Sequence, residues 1–115
     1  MNITLYGIKS CDTCRKAIKA LEATGKNPVF HDVRTDGLPS QKLAEWAEKV
    51  DWNLLLNTRS TTWRNLNDAD KAPLTAKIAL ALIVEHPTLL KRPVIEVGSK
   101  VYVGWSKDTA SEIAG

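Results

Sequence analysis

Ile3-Thr4-Leu5-Tyr6-Gly7-Ile8-Lys9-Ser10-Cys11-Asp12-Thr13-Cys14 decides how this chain is read. Ile3 to Tyr6 is a run of β-formers closed by Gly7, which reads as a first strand. Ser10 or Asp12 is expected to cap the helix that follows. That helix puts Ala17, Ile18 and Leu21 on one face and Lys16, Lys19 and Glu22 elsewhere. Gly25 supplies a left-handed stop, and Pro28 to Val33 reads as a second strand. Strand, helix and strand make a βαβ unit, whose right-handed crossover sets the two strands parallel. Cys11 then stands at the carboxyl end of a parallel strand, where α/β sheets place their ligands.

Outward from this unit, Asp36-Gly37-Leu38-Pro39 is turn chemistry. Ser40 is expected to cap a helix with Leu43, Trp46, Ala47 and Val50 on one face. Trp52 to Leu56 is a further short apolar segment, and Asn57 to Thr62 reads as a polar loop, with Trp63 beside it. Thr75 to Glu85 is helical and nearly apolar all round, which predicts burial on most sides. His86-Pro87 ends it. Val94 to Val97 and Lys100 to Val103 flank Gly98-Ser99 and read as a hairpin. Ser106 caps a last helix reaching Ile113. The expected fold is α/β and thioredoxin-like: a four-stranded mixed sheet with a helical insert, about residues 40–86, between the second and third strands, in a single domain over 1–115.

Composition is ordinary for a globular domain. The chain has 115 residues, 43% hydrophobic and 25% charged, with a net charge of +3. No run of like charges carries that excess, so neither nucleic acid nor membrane is an expected partner. The longest apolar run, Ile78 to Val84, is far short of the roughly 18 residues a span needs. The start of the chain shows no basic segment followed by an apolar one, so a cytoplasmic protein with reduced thiols is expected. A monomer is expected as well.

Cys11 and Cys14 are the only cysteines. A sulfur at a helix N-terminus faces unpaired backbone N–H groups and the positive end of the helix dipole. Both favour thiolate, and Lys9, Arg15 and Lys16 add positive charge. Cys14, one turn further on, is placed to resolve a mixed disulfide on Cys11, or is simply a small buried residue. A structural metal site takes four ligands, and only His31 and His86 remain as extra candidates, so no metal is expected. Pro93 opens the third strand, where this architecture favours a cis X-Pro turn that would hold Arg92 near Cys11. Arg59 lies on the loop leaving the insert. Two guanidinium forks near a thiolate would bind an oxyanion or carboxylate; read alone, each is a solvated surface arginine. Trp46 and Trp52 read as core of the insert.

The sequence resembles the arsenate-reductase-like (ArsC-like) family, in the branch that includes Spx/MgsR regulators and YffB-type proteins. The resemblance spans nearly the whole chain. It rests on Thr4 to Thr13, Asp36-Gly37-Leu38, Leu55-Leu56-Asn57-Thr58-Arg59, Thr61-Thr62-Trp63-Arg64 and Lys91-Arg92-Pro93. It implies a small thiol reductase with glutathione as co-substrate and no bound cofactor. Cys11 would be the nucleophile, Arg59 and Arg92 would line the anion site, and Pro93 would be the cis-proline. Glutathione, a small thiol or disulfide, glutaredoxin and thioredoxin are the implied partners. Family members that reduce arsenate carry a histidine four residues before the cysteine and a third arginine after the last strand. Here Gly7 and Val103-Gly104-Trp105-Ser106 stand in those places, with Trp105 expected to cover the gap. The family also offers two alternatives: an Spx-like redox regulator that binds RNA polymerase, and an arsenate reductase.

Overall fold

The structure, a computed structural model, describes residues 2–67, 69 and 75–114. Strand β1 (Ile3–Gly7) leads into helix α1 (Asp12–Ala23) and strand β2 (Val29–Asp32). Helices α2 (Ser40–Lys49), α3 (Trp52–Leu55), α4 (Thr61–Asn65) and α5 (Ala76–Glu85) follow, then a 3-10 turn (Pro87–Leu89). Strands β3 (Val94–Val97) and β4 (Lys100–Val103) and helix α6 (Lys107–Ala114) complete the described chain. No helix among the described residues is long and apolar enough to cross a membrane.

The chain forms two compact units, Met1–Asp36 with Arg92–Gly115, and Gly37–Lys91. The first holds a four-stranded sheet in the order β2-β1-β3-β4. β1 and β2 are parallel, pairing Leu5 with Phe30, and β1–β3 and β3–β4 are antiparallel. This is the thioredoxin-like mixed sheet. Strand alternation turns Ile3 and Leu5 to one face. There they meet Ile95 and Val97 of β3, Cys14, Ala17 and Leu21 of α1, and Ile113 of α6. Cys14, Ala17 and Leu21 recur at helical spacing, so α1 lays one stripe on the sheet. On the other face the Tyr6 hydroxyl donates to Glu96 Oε1 at 3.0 Å, and the Tyr6 ring lies 5.0 Å from that of His31.

The second unit is helical. α2 and α3 pack on α5, with Leu43, Trp46, Leu55, Ala79 and Ile83 fully buried. A lone antiparallel bridge joins Leu56 to Leu90. It is flanked by bonds from the Asn57 N–H to the Leu89 carbonyl (2.7 Å) and from the Lys91 N–H to the Leu55 carbonyl (2.8 Å).

Several local expectations are corrected. Cys11 itself, in extended conformation, is the N-cap of α1, and neither Ser10 nor Asp12 caps it with a side chain. Pro39, not Ser40, precedes α2 as its cap; proline sets an extended entry without any side-chain bond. The polar stretch after Asn57 conceals α4, whose cap is Ser60, with its Oγ accepting from the Trp63 N–H at 3.2 Å. Trp63 is therefore helical. α5 buries one stripe only, Ala79, Leu82 and Ile83, while Val84 is 39% exposed. Trp52 is half-buried, unlike fully buried Trp46.

Candidate active site

The loop between β1 and α1 is held from three sides. The Cys11 N–H donates to the Ile8 carbonyl at 3.0 Å, and the Cys11 carbonyl accepts the first helical bond, from the Arg15 N–H at 3.1 Å. Arg15 Nε donates to the Lys9 carbonyl at 2.9 Å. The Lys9 N–H donates to Asp32 Oδ2 at 3.0 Å. Asp32 is buried at the end of β2, and its Oδ1 accepts from the N–H groups of Arg34 (2.9 Å) and Thr35 (3.0 Å). Burial opposes its ionisation, but these backbone donors and the nearby Lys9 charge outweigh it and hold the carboxyl below its ordinary range.

Both cysteines are free thiols. Cys11 is half-buried and Cys14 is buried. Partial burial pushes the Cys11 thiol up. The Cys14 backbone N–H, the Cys14 thiol and the Arg92 guanidinium pull it down further, and the net effect is a lowered pKa. Cys14 goes the other way, pushed up to about 12. Burial leads, Cys11 beside it adds to the rise, and the Ile8 N–H and Arg92 oppose it. The two sulfurs thus divide the work as environment dictates: one is poised to ionise and its neighbour holds a proton.

Arg92, half-buried, precedes Pro93 across a cis peptide bond. The Pro93 carbonyl accepts from the Gly104 N–H at 2.8 Å, tying the turn to the end of β4. Trp105, just beyond, packs on the core that carries Cys14. The structure therefore brings Cys11, Cys14 and Arg92 together in the sheet unit, with Pro93 next to Arg92 across the cis bond. Arg59 belongs to the helical unit, where it is exposed. Its N–H donates to Asn57 Oδ1 at 3.1 Å, and its carbonyl accepts from Arg64 Nη2 at 3.2 Å. No three His, Cys, Asp or Glu side chains among the described residues gather as a metal site.

The sequence reading missed Asp32 as a site residue, and of Gly7 it missed the packing role. Asp32-Val33-Arg34-Thr35 carries the signal of an Asx-type turn at a strand end, and that signal marks the anchor. Gly7 shows none. A Cβ built on Gly7 would overlap Cys14 Sγ, so the missing side chain is the seat of the buried thiol.

The model of the ArsC family matches residues 6–113. An uncharacterized protein of Haemophilus influenzae is 43% identical over 105 residues, covering 91% of this chain and 92% of its own. The global transcriptional regulator Spx of Streptococcus pneumoniae is 31% identical over 108 residues, covering 92% of this chain and 80% of its own. The solved structure of the YffB protein superposes with a TM-score of 0.94 at 35% identity, covering 99% of this chain and 100% of its own. With its thiol loop, cis-proline turn and four-stranded sheet inside the matched span, the chain belongs to the ArsC family.

Proposed function

We propose that this chain is a thiol–disulfide reductase that works with glutathione through Cys11. The observation that carries the reading is the lowered Cys11 thiol between Cys14 and Arg92. A thiolate at the working pH is the nucleophile in disulfide exchange. The Cys11 thiolate attacks one sulfur of a glutathionylated substrate, a new S–S bond forms on Cys11, and the substrate sulfur leaves as thiolate. A second glutathione thiolate, or Cys14, then attacks the mixed disulfide and frees Cys11 or closes Cys11–Cys14. In the first case the new bond is that of glutathione disulfide, and the net change is one glutathione thiol exchanged for the substrate thiol. In the second, glutathione leaves as thiolate, and Cys11 and Cys14 together supply the two electrons. Arg92 is a fixed fork for the thiolate and for a glutathione carboxylate. The assignment of Arg59 to that carboxylate rests on the family resemblance.

The test is intact mass spectrometry of the reduced protein mixed with a glutathionylated peptide, for wild type and Cys11→Ser. A glutathione adduct on wild type alone, or its resolution to a Cys11–Cys14 disulfide lighter than the reduced protein by two hydrogens, is expected. Neither species on either protein overturns the reading. A second reading is a redox regulator, favoured by the 31% identity with Spx across most of both chains. Specific retention of this chain on the RNA polymerase α subunit would support it. Arsenate reduction is not proposed, because the position of the family histidine is Gly7, whose open side Cys14 Sγ fills.

A further inference from the structure

On the flank of α1 that faces β2 lies a cavity of about 320 Å³, lined by Ile8, Lys9, Cys14, Arg15, Ile18 and Phe30. Its walls are hydrocarbon from Ile8, Ile18 and Phe30. The charges are those of Lys9 and Arg15, both exposed. The carboxylates nearby offset them only in part. Asp12 reaches Arg15 Nη1 only at 3.9 Å in an exposed pair that water screens. Asp32 feels the Lys9 charge, but its oxygens are spent on three backbone N–H bonds from Lys9, Arg34 and Thr35, so it is held away from the cavity mouth as a loop anchor. The result is an apolar hole beside two cations, and it shares Lys9 and Cys14 with the thiol loop. Pro93 lies on β3's side of β1, whereas Phe30 lies in β2 on the other side.

We propose that this cavity is a substrate subsite for peptide disulfides, seating an apolar side chain of the substrate with an acidic residue against Lys9 and Arg15. The proposal rests on the reductase reading above and names its substrate class. The volume stands at the lower end of small-ligand sites, about 300–1,000 Å³, and suits one leucine- or phenylalanine-sized group. Reach also fits. α1 rises about 1.5 Å per residue, so Cys14 to Ile18 lie roughly 4–10 Å beyond Cys11 along its axis. An extended peptide covers at most about 3.3–3.6 Å per residue, so the seated side chain is two or three positions from the cysteine bonded to Cys11. Glutathione disulfide has no apolar side chain to offer. The subsite therefore favours a peptide disulfide over the free small one.

The test compares two peptides, one with Leu-Glu placed three and two positions from its cysteine, the other with Gly-Lys there. Each is made as a glutathione mixed disulfide and as a fluorescent serine analogue. Expected for reduced wild type are exchange at least ten-fold faster, and analogue binding at least ten-fold tighter, with the Leu-Glu peptide. Ile18→Gln and Lys9→Gln, which removes a cation at an exposed position and keeps the Lys9 backbone bonds of the loop, should each cut both preferences several-fold. Equal exchange and equal binding for the two peptides, with Cys11 still reacting, overturn the subsite and leave the reductase reading standing. Selective analogue binding lost in both variants, with no exchange by any disulfide, supports the subsite and overturns the reductase reading. Neither binding nor exchange overturns both.

Discussion

Gly7 and Cys14 compete for one volume: the Cys14 sulfur occupies the place a Cβ on Gly7 would need. Gly7 is the last residue of β1 and Cys14 is on the first turn of α1. Their contact sets the distance between strand and helix, and the small residue lets the thiol bury. Gly7→Ala should force Cys14 to rotate out of its seat or push α1 away. The expected loss is about 1–3 kcal/mol, the range for adding a methyl to a packed core. Cys14→Ala vacates the seat, so the double variant should recover part of that loss. Denaturant midpoints of the four proteins give the coupling, expected at about 0.5–3 kcal/mol for residues in contact. Additive losses would mean the two do not share the space.

Arg92 bears on the Cys11 thiol both as a charge and as a hydrogen-bond donor. Alkylation follows the thiolate, so its pH midpoint in wild type is expected below the ordinary thiol value of 9.0. Arg92→Ala should move the midpoint up and slow alkylation at neutral pH. Cys11→Ser removes the fast phase and identifies it. A midpoint that stays put in Arg92→Ala would remove the guanidinium from the site. Linkage adds a second signature. Cys14, pushed up to about 12, stays protonated in the folded state while the unfolded thiol ionises near 9.0. Stability should therefore fall as pH rises through 9 and on toward 12, and Cys14→Ser should flatten that fall.

Asp32 joins the end of β2 to the loop that presents Cys11, through the Lys9 N–H. Its carboxyl is held below the ordinary value of 3.8. A depressed acid contributes stability that is present above its unfolded pKa and lost as pH falls through the folded one. Asp32→Asn keeps an oxygen acceptor for the Arg34 and Thr35 N–H groups but sets its NH2, a donor, against the Lys9 N–H, so that bond is lost. A cost of about 1–3 kcal/mol at neutral pH is expected, as for a buried group left unpaired. The acid limb below pH 4 should become shallower, and Cys11 alkylation should slow through loosening of the loop. An unchanged acid limb would show that Asp32 is not the linked carboxyl.

How legible the site was depended on whether its signals were local. Ile3 to Leu21 carries a strand run, a stop and a helical stripe in consecutive residues, and these placed Cys11 at the end of β1. Val94 to Val103 was equally clear, because Gly98-Ser99 sits between two β runs. The Ser60 cap and α4 were missed: five residues, Thr61–Asn65, are too few to show a period, and Ser-Thr-Thr also suits a loop. α5 looked buried all round because apolar content does not say how many neighbours will cover it. Gly7 could be read only as an absent imidazole. That Cys14 fills the gap depends on the distance between a strand and a helix, which no residue spacing encodes.

Cys14 bears on how the mixed disulfide is resolved. A thiol attacks fastest when its pKa lies near the ambient pH. Burial, first among the causes that push Cys14 to about 12, persists when Cys11 is capped. At neutral pH its thiolate is then far scarcer than that of an ordinary free thiol. Millimolar glutathione should win that contest, through a monothiol route. Cys14→Ser keeps a hydroxyl that can donate to Cys11. It should turn over within about two-fold of wild type at millimolar glutathione, with the mixed disulfide visible by intact mass only when glutathione is scarce. A variant that accumulates the mixed disulfide and stops at millimolar glutathione would make Cys14 the resolving thiol. Burial would then be relieved by a movement of α1 during the cycle, and the Gly7 seat would be the place that movement starts.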